Sequence, residues 1–130
     1  MKIAVDTNVL VRAVVQDDPE QAEIASKILK AEILAVATSC LCEFVWVLRQ
    51  VYRFRPSAIA ATIRELLAAE NVETNRPAVE AGLVMLDAGG DFADGAIAYE
   101  GRWLGGETFV SFDRKAVDML KAQGQAARLL

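Results

Sequence analysis

The chain has 130 residues, 54% hydrophobic and 25% charged, with a formal net charge of −4 and a sequence pI near 4.8. That length fits one domain that buries about two-thirds of its unfolded surface, and the composition excludes a disordered chain. The absence of histidine excludes a Cys/His zinc site and every Ser-His-Asp or Cys-His mechanism, leaving carboxylates, hydroxyls, amides and a bound ion to do chemistry.

In chain order, Lys2 to Val5 reads as a short buried strand, and Asn8 to Val15 as a helix ending near Gln16-Asp17-Asp18. Pro19 suits the first turn of a second helix, capped by Asp18 and running to about Ala31. Ile33 to Ala37 predicts a strand. Thr38 or Ser39 then caps a long helix to about Tyr52. Cys40 and Cys42 lie two apart on it, facing different ways, too poorly aimed for a disulfide. Pro56 to Ala69 predicts a helix, with Ile59, Ile63, Leu66 and Leu67 on one face.

Val72 to Thr74 is a brief strand, and Pro77 to Ala88 a helix stopped by Gly89-Gly90. Asp91 caps the next helix, which Gly105-Gly106 ends near Leu104. Thr108 to Phe112 is a strand, Arg114 to Ala122 a helix, and Ala126 to Leu129 a last strand. No apolar run approaches the roughly 20 residues of a membrane span. The amino terminus lacks a basic segment followed by an apolar core, so the expected location is cytoplasmic.

Short apolar strands alternating with helices predict a single α/β domain over residues 1–130, a three-layer sandwich around a central, mostly parallel sheet. Sites in such sheets form outside the carboxyl ends of the strands. Asp6 follows Ile3-Ala4-Val5, and Asp113 follows Thr108 to Phe112. Glu43 is the only charge between Cys40 and Leu48, and Asp94 opens Gly95-Ala96-Ile97-Ala98. Carboxylates embedded among apolar residues are costly unless paired, protonated or metal-bound, so these four predict one shared cation. Acids also dominate between Arg76 and Arg102, whereas Arg12, Arg49, Arg102, Arg114 and Lys115 are candidate phosphate contacts. Trp46 and Trp103 read as core or interface, and Asp17-Asp18 as a solvated loop and cap.

Four motifs then form an ordered pattern. Val5-Asp6-Thr7-Asn8-Val9-Leu10 resembles the first motif of the PIN-domain ribonucleases, and Glu43 in Leu41-Cys42-Glu43-Phe44 the second acid. Asp91-Phe92-Ala93-Asp94-Gly95-Ala96 resembles the third, and Ser111-Phe112-Asp113 the fourth. The set spans nearly the whole chain and is most similar to the VapC toxins of bacterial toxin–antitoxin pairs. Gly95 departs from the alanine more common there, either loosening the turn that bears Asp94 or admitting close packing.

The resemblance implies an endoribonuclease dependent on Mg²⁺ or Mn²⁺, with Asp6, Asp94 and Asp113 as metal ligands. Glu43 would bind through water or orient the attacking water. Thr7, Asn8 and Ser111 would hold carboxylates or metal waters by hydrogen bonds. Asp91, three residues before Asp94 on the same helix face, reads as the helix cap, with contact to the metal as its alternative role. The resemblance also implies an RNA substrate, a homodimer and a VapB-like antitoxin, with a groove for that partner among the helices between Pro19 and Ala69. A structural ion pair from Arg12 or Arg102 to Glu43 is the competing reading of that acid. For the whole chain, the alternatives are a PIN nuclease that processes a cellular RNA without an antitoxin, a silent PIN module, and a Mg²⁺-binding receiver domain.

Overall fold

Short apolar segments build the strands, and two prolines open helices where their missing N–H costs nothing. The computed structural model describes residues 1–130, which divide into two units, Met1–Asn75 and Arg76–Leu130. The first unit runs β1 (Lys2–Ala4), α1 (Thr7–Val15), α2 (Pro19–Ala31), β2 (Ile33–Ala35), α3 (Thr38–Gln50), α4 (Pro56–Ala68) and β3 (Val72–Glu73). Its strands pair in parallel in the order β1-β2-β3, with Ile3 opposite Leu34 and Leu34 opposite Val72.

Asp18 caps α2, accepting from Gln21 N at 3.1 Å, and Pro19 stands in its first turn. Gln16 ends α1 in the left-handed conformation, at φ 59°. α3 begins differently from expectation. Ala37 is its N-cap and makes no side-chain cap bond; the first turn closes on the Ala37 carbonyl, which accepts from Leu41 N at 3.2 Å. Thr38, expected as the cap, is already helical and buried. On α4 the predicted face is largely buried: Ile59 and Ile63 are fully enclosed and Leu67 nearly so. With Leu34, Leu41, Phe44 and Leu48 they form the core, each such side chain contributing about 1.5–3 kcal/mol of burial.

The second unit comprises α5 (Arg76–Asp87), α6 (Phe92–Trp103), β4 (Phe109–Ser111), α7 (Arg114–Ala122) and β5 (Ala127–Leu129). β4 and β5 pair in parallel, Val110 opposite Arg128. α5 and α6 approach so closely that only glycine fits at two contacts. A Cβ on Gly82 would lie 2.6 Å from the buried Phe92 ring, and one on Gly95 would lie 2.3 Å from the Ala81 carbonyl oxygen. Gly95 is therefore a packing residue, which settles the two readings left open by the sequence. Met85, Ala98 and Leu120 are buried together, with Phe109, Met119 and Ala127 packed against them.

The molecule is thus a helix-rich α/β protein whose strand pairings are all parallel, as the alternation of elements requires. The strands run shorter than expected: Val5, Val36-Ala37 and Thr74 fall beyond the ends of β1, β2 and β3, Thr108 and Phe112 flank β4, and Ala126 precedes β5. No helix is long and apolar enough to cross a membrane.

Candidate acidic site

In the first unit, Asp6 sits where β1 hands over to α1. It is the N-cap of α1, and its Oδ1 accepts from Thr7 N at 2.9 Å. Glu43 lies in the second turn of α3, where the Thr7 hydroxyl donates to its Oε2 at 3.1 Å. Thr7 is buried, so this bond bridges two elements from a fixed position. The Thr7 hydroxyl is also 3.7 Å from Cys40 Sγ, and that thiol donates to the Val5 carbonyl at 3.7 Å. Burial pushes the Cys40 thiol pKa up, and the charges of Asp6 and Glu43 add to the effect. The two acids, Thr7 and Cys40 therefore form one neighbourhood. Asn8 is exposed on the first turn of α1.

No basic side chain pairs with Glu43. Arg12 binds Asp17 at 3.1 Å and Gln21 at 2.7 Å, and Arg102 donates to Gln125. The ion-pair reading of Glu43 therefore fails.

In the second unit, Asp91 caps α6 by accepting from Ala93 N at 3.1 Å, as the sequence indicates. Asp94 follows in the first turn of that helix and is half-buried. Desolvation, then the charge of Asp91, then that of Asp113, push its pKa up to about 6. Asp113 caps α7, its Oδ1 accepting from Ala116 N at 3.2 Å. Ser111 Oγ accepts from the Asp113 backbone N–H at 2.9 Å, shaping the turn that presents the acid, and its own O–H remains available to donate.

The expectation of four acids embedded in apolar surroundings is corrected for three of them. Asp6, Glu43 and Asp113 are exposed, and only Asp94 is partly enclosed. The apolar neighbours in sequence point elsewhere. On α3, Phe44, Val45 and Leu48 face the core, while Glu43 and Trp46 lie on the opposite, solvent-facing side. Trp46 and Trp103 are likewise 60% and 80% exposed, so neither is a core residue. Within neither unit do three or more acid or cysteine side chains gather closely enough to hold a metal on their own.

Sequence reasoning missed two partners. Cys40 gives no signal of its contact with Thr7, because a cysteine on an apolar helix face reads as core. Tyr52 donates to Asp17 Oδ2 at 2.9 Å, and this bond, with Arg12 adding, holds the Asp17 carboxyl below its ordinary range.

In each unit, then, carboxylates stand near strand ends and helix starts with no cation paired to them. The family model for the PIN domain matches residues 3–120, across both units, and the chain belongs to that family. PIN domains are generally metal-dependent nucleases. No individual curated protein matches the chain. The receiver-domain alternative falls with the family match.

Proposed function

We propose that the protein is a Mg²⁺- or Mn²⁺-dependent endoribonuclease, acting as the VapC-type toxin of a VapBC-type pair. The observation that carries this reading is the family match over residues 3–120, within which every motif acid is retained. The donor set fits a hard divalent ion. Asp6, Glu43, Asp94 and Asp113 offer oxygen ligands, no lysine or arginine bridges any of them, and the charged form of Asp94 is disfavoured until a cation arrives.

In this proposal Asp6, Asp94 and Asp113 would hold the ion, and Glu43 would orient the attacking water while Thr7 fixes its carboxylate. Asp6 and Asp113 each spend one oxygen on a backbone N–H, which sets their direction and leaves the other free. Asn8 would add a hydrogen bond to a metal water, and Asp91 would act on Asp94 through its charge. When bound, the ion supplies an activated water and neutralises charge developing on the phosphate.

For the antitoxin, the first unit supplies an apolar hollow of about 460 Å³ lined by Leu10, Val14, Leu29, Phe44, Leu66 and Val72. A VapB-like helix laid there by its apolar face, with an arginine reaching the acids, would compete with the ion. The exposed Trp103 and Leu104 support a homodimer, and a cytoplasmic location follows from the proposed substrate. The same chemistry without an antitoxin, trimming a cellular RNA, is the second reading.

Incubating the purified protein with total RNA, with and without Mg²⁺ or Mn²⁺, and mapping new 5′ ends tests the nuclease. Cleavage should require the ion and vanish in Asp6→Ala. RNA left intact under all conditions, or cut equally in chelator, would overturn it.

A further inference from the structure

Within the first unit, Val5, Thr7, Cys40 and Glu43 come from two distant stretches of sequence, yet one network of hydrogen bonds joins them. The Cys40 thiol donates to the Val5 carbonyl at 3.7 Å. Its sulfur also stands 3.7 Å from the Thr7 hydroxyl, which donates to Glu43 Oε2 at 3.1 Å. The Thr7 backbone N–H meanwhile donates to Asp6 Oδ1 at 2.9 Å. Cys40 and Thr7 are only 8% and 7% exposed, whereas Glu43 is exposed. A solvated carboxylate on a flexible side chain is thus steadied by two groups that water hardly reaches.

Thr7 has one hydroxyl proton and two acceptors within reach, the Glu43 carboxylate and the Cys40 sulfur. A carboxylate is a strong acceptor and a thiol sulfur a weak one, so the proton goes to Glu43. An oxygen in place of the sulfur would compete for that proton. A serine inside a helix also turns toward a carbonyl of the preceding turn, which would release the Val5 carbonyl. Sulfur fills the space, keeps a proton for Val5 and leaves the Thr7 proton to the acid.

We propose that Cys40 is a positioning residue for Glu43: anchored on the Val5 carbonyl, it holds the Thr7 hydroxyl on the carboxylate that orients the attacking water. The inference rests on the nuclease reading above and deepens it, adding a residue that touches neither RNA nor ion. The competing role is plain core packing, which any apolar side chain of similar volume would satisfy. Valine is such a side chain, keeping the bulk while removing the donor and the sulfur.

The test compares Cys40→Val, Thr7→Val and the double variant in Mg²⁺, on a synthetic RNA copying one cut site mapped in total RNA. Cys40→Val should lower kcat about tenfold with KM unchanged, as when a water-orienting carboxylate loses its aim. Thr7→Val should lower kcat at least as far, and the double variant no further, because Cys40 works through Thr7. An intact kcat in Cys40→Val, or losses that multiply in the double variant, would assign Cys40 to packing and overturn the proposal. A second measurement needs neither catalysis nor metal. In chelator, with Cys42→Ala leaving Cys40 as the only thiol, the infrared S–H stretching band reports the hydrogen bonds of Cys40. Thr7→Val and Glu43→Gln should each shift that band, the second because a neutral amide holds the Thr7 proton less firmly. A band that either change leaves in place would overturn the proposal. If the unmodified protein cuts no RNA, the nuclease reading fails, while the thiol band still judges the network.

Discussion

At the scale of single residues, Asp94 carries the clearest electrostatic cost in the molecule. Its pKa is raised from 3.8 to about 6, so the folded state binds more protons than the unfolded chain in that interval. Stability therefore falls as pH rises through about 4 to 6, and the loss is complete above the folded pKa. Asn at this position removes the charge and keeps the shape. Asp94→Asn should abolish cleavage yet raise metal-free stability at pH 7.5, by on the order of 1–2 kcal/mol after solvent screening. The gain should shrink toward pH 4, where both side chains are neutral. Thermal melts in chelator at the two pH values measure it; a mutant less stable at pH 7.5 would contradict the assigned cost. The identity of the acids was legible in the sequence because Asp6, Glu43, Asp94 and Asp113 interrupt apolar runs. Their exposure was not, since a run of apolar letters does not say which helix face each one takes.

At the scale of elements, the pair α5–α6 depends on what is missing from two positions. Alanine is ordinarily worth about 1 kcal/mol over glycine inside a helix. At Gly95 the added methyl would meet the Ala81 backbone at 2.3 Å and Met85 Cγ at 2.8 Å, so the helices must part. Overpacking of that kind costs about 1–3 kcal/mol and should outweigh the propensity gain. Gly95→Ala is expected to lower the urea midpoint, with Gly101→Ala, which has open space around it, as the control that does not. Most elements were readable from turn chemistry: Asp18-Pro19, Pro56, Gly89-Gly90 and Asp113 each mark a boundary the structure keeps. The start of α3 was not readable. Two hydroxyl residues side by side look like caps, but the helix begins one residue earlier on a plain backbone turn.

At the scale of the whole molecule, the proposed acids are shared out along the chain, Asp6 and Glu43 in residues 1–75, Asp94 and Asp113 in residues 76–130. Only the order of motifs along the full length made the family visible in the sequence, since Asp-Thr-Asn alone is common. The contact that organises Glu43, a buried hydroxyl 36 positions away, has no local signature at all. The same holds for the hollow among α1, α2, α3 and α4: each of its apolar residues reads as core, and only the fold reveals that they leave open space.

That space has a practical result at the bench. A fluorescent dye that lights up in oily surroundings should find a berth in the native state, so its signal will already be high before any heating. Replacing Ala13, which lines the hollow, with glutamate should quench this baseline without shifting the circular-dichroism melt. An unfolding curve followed by such a dye would therefore start from a bright floor and understate the transition, whereas one followed by backbone absorption would not.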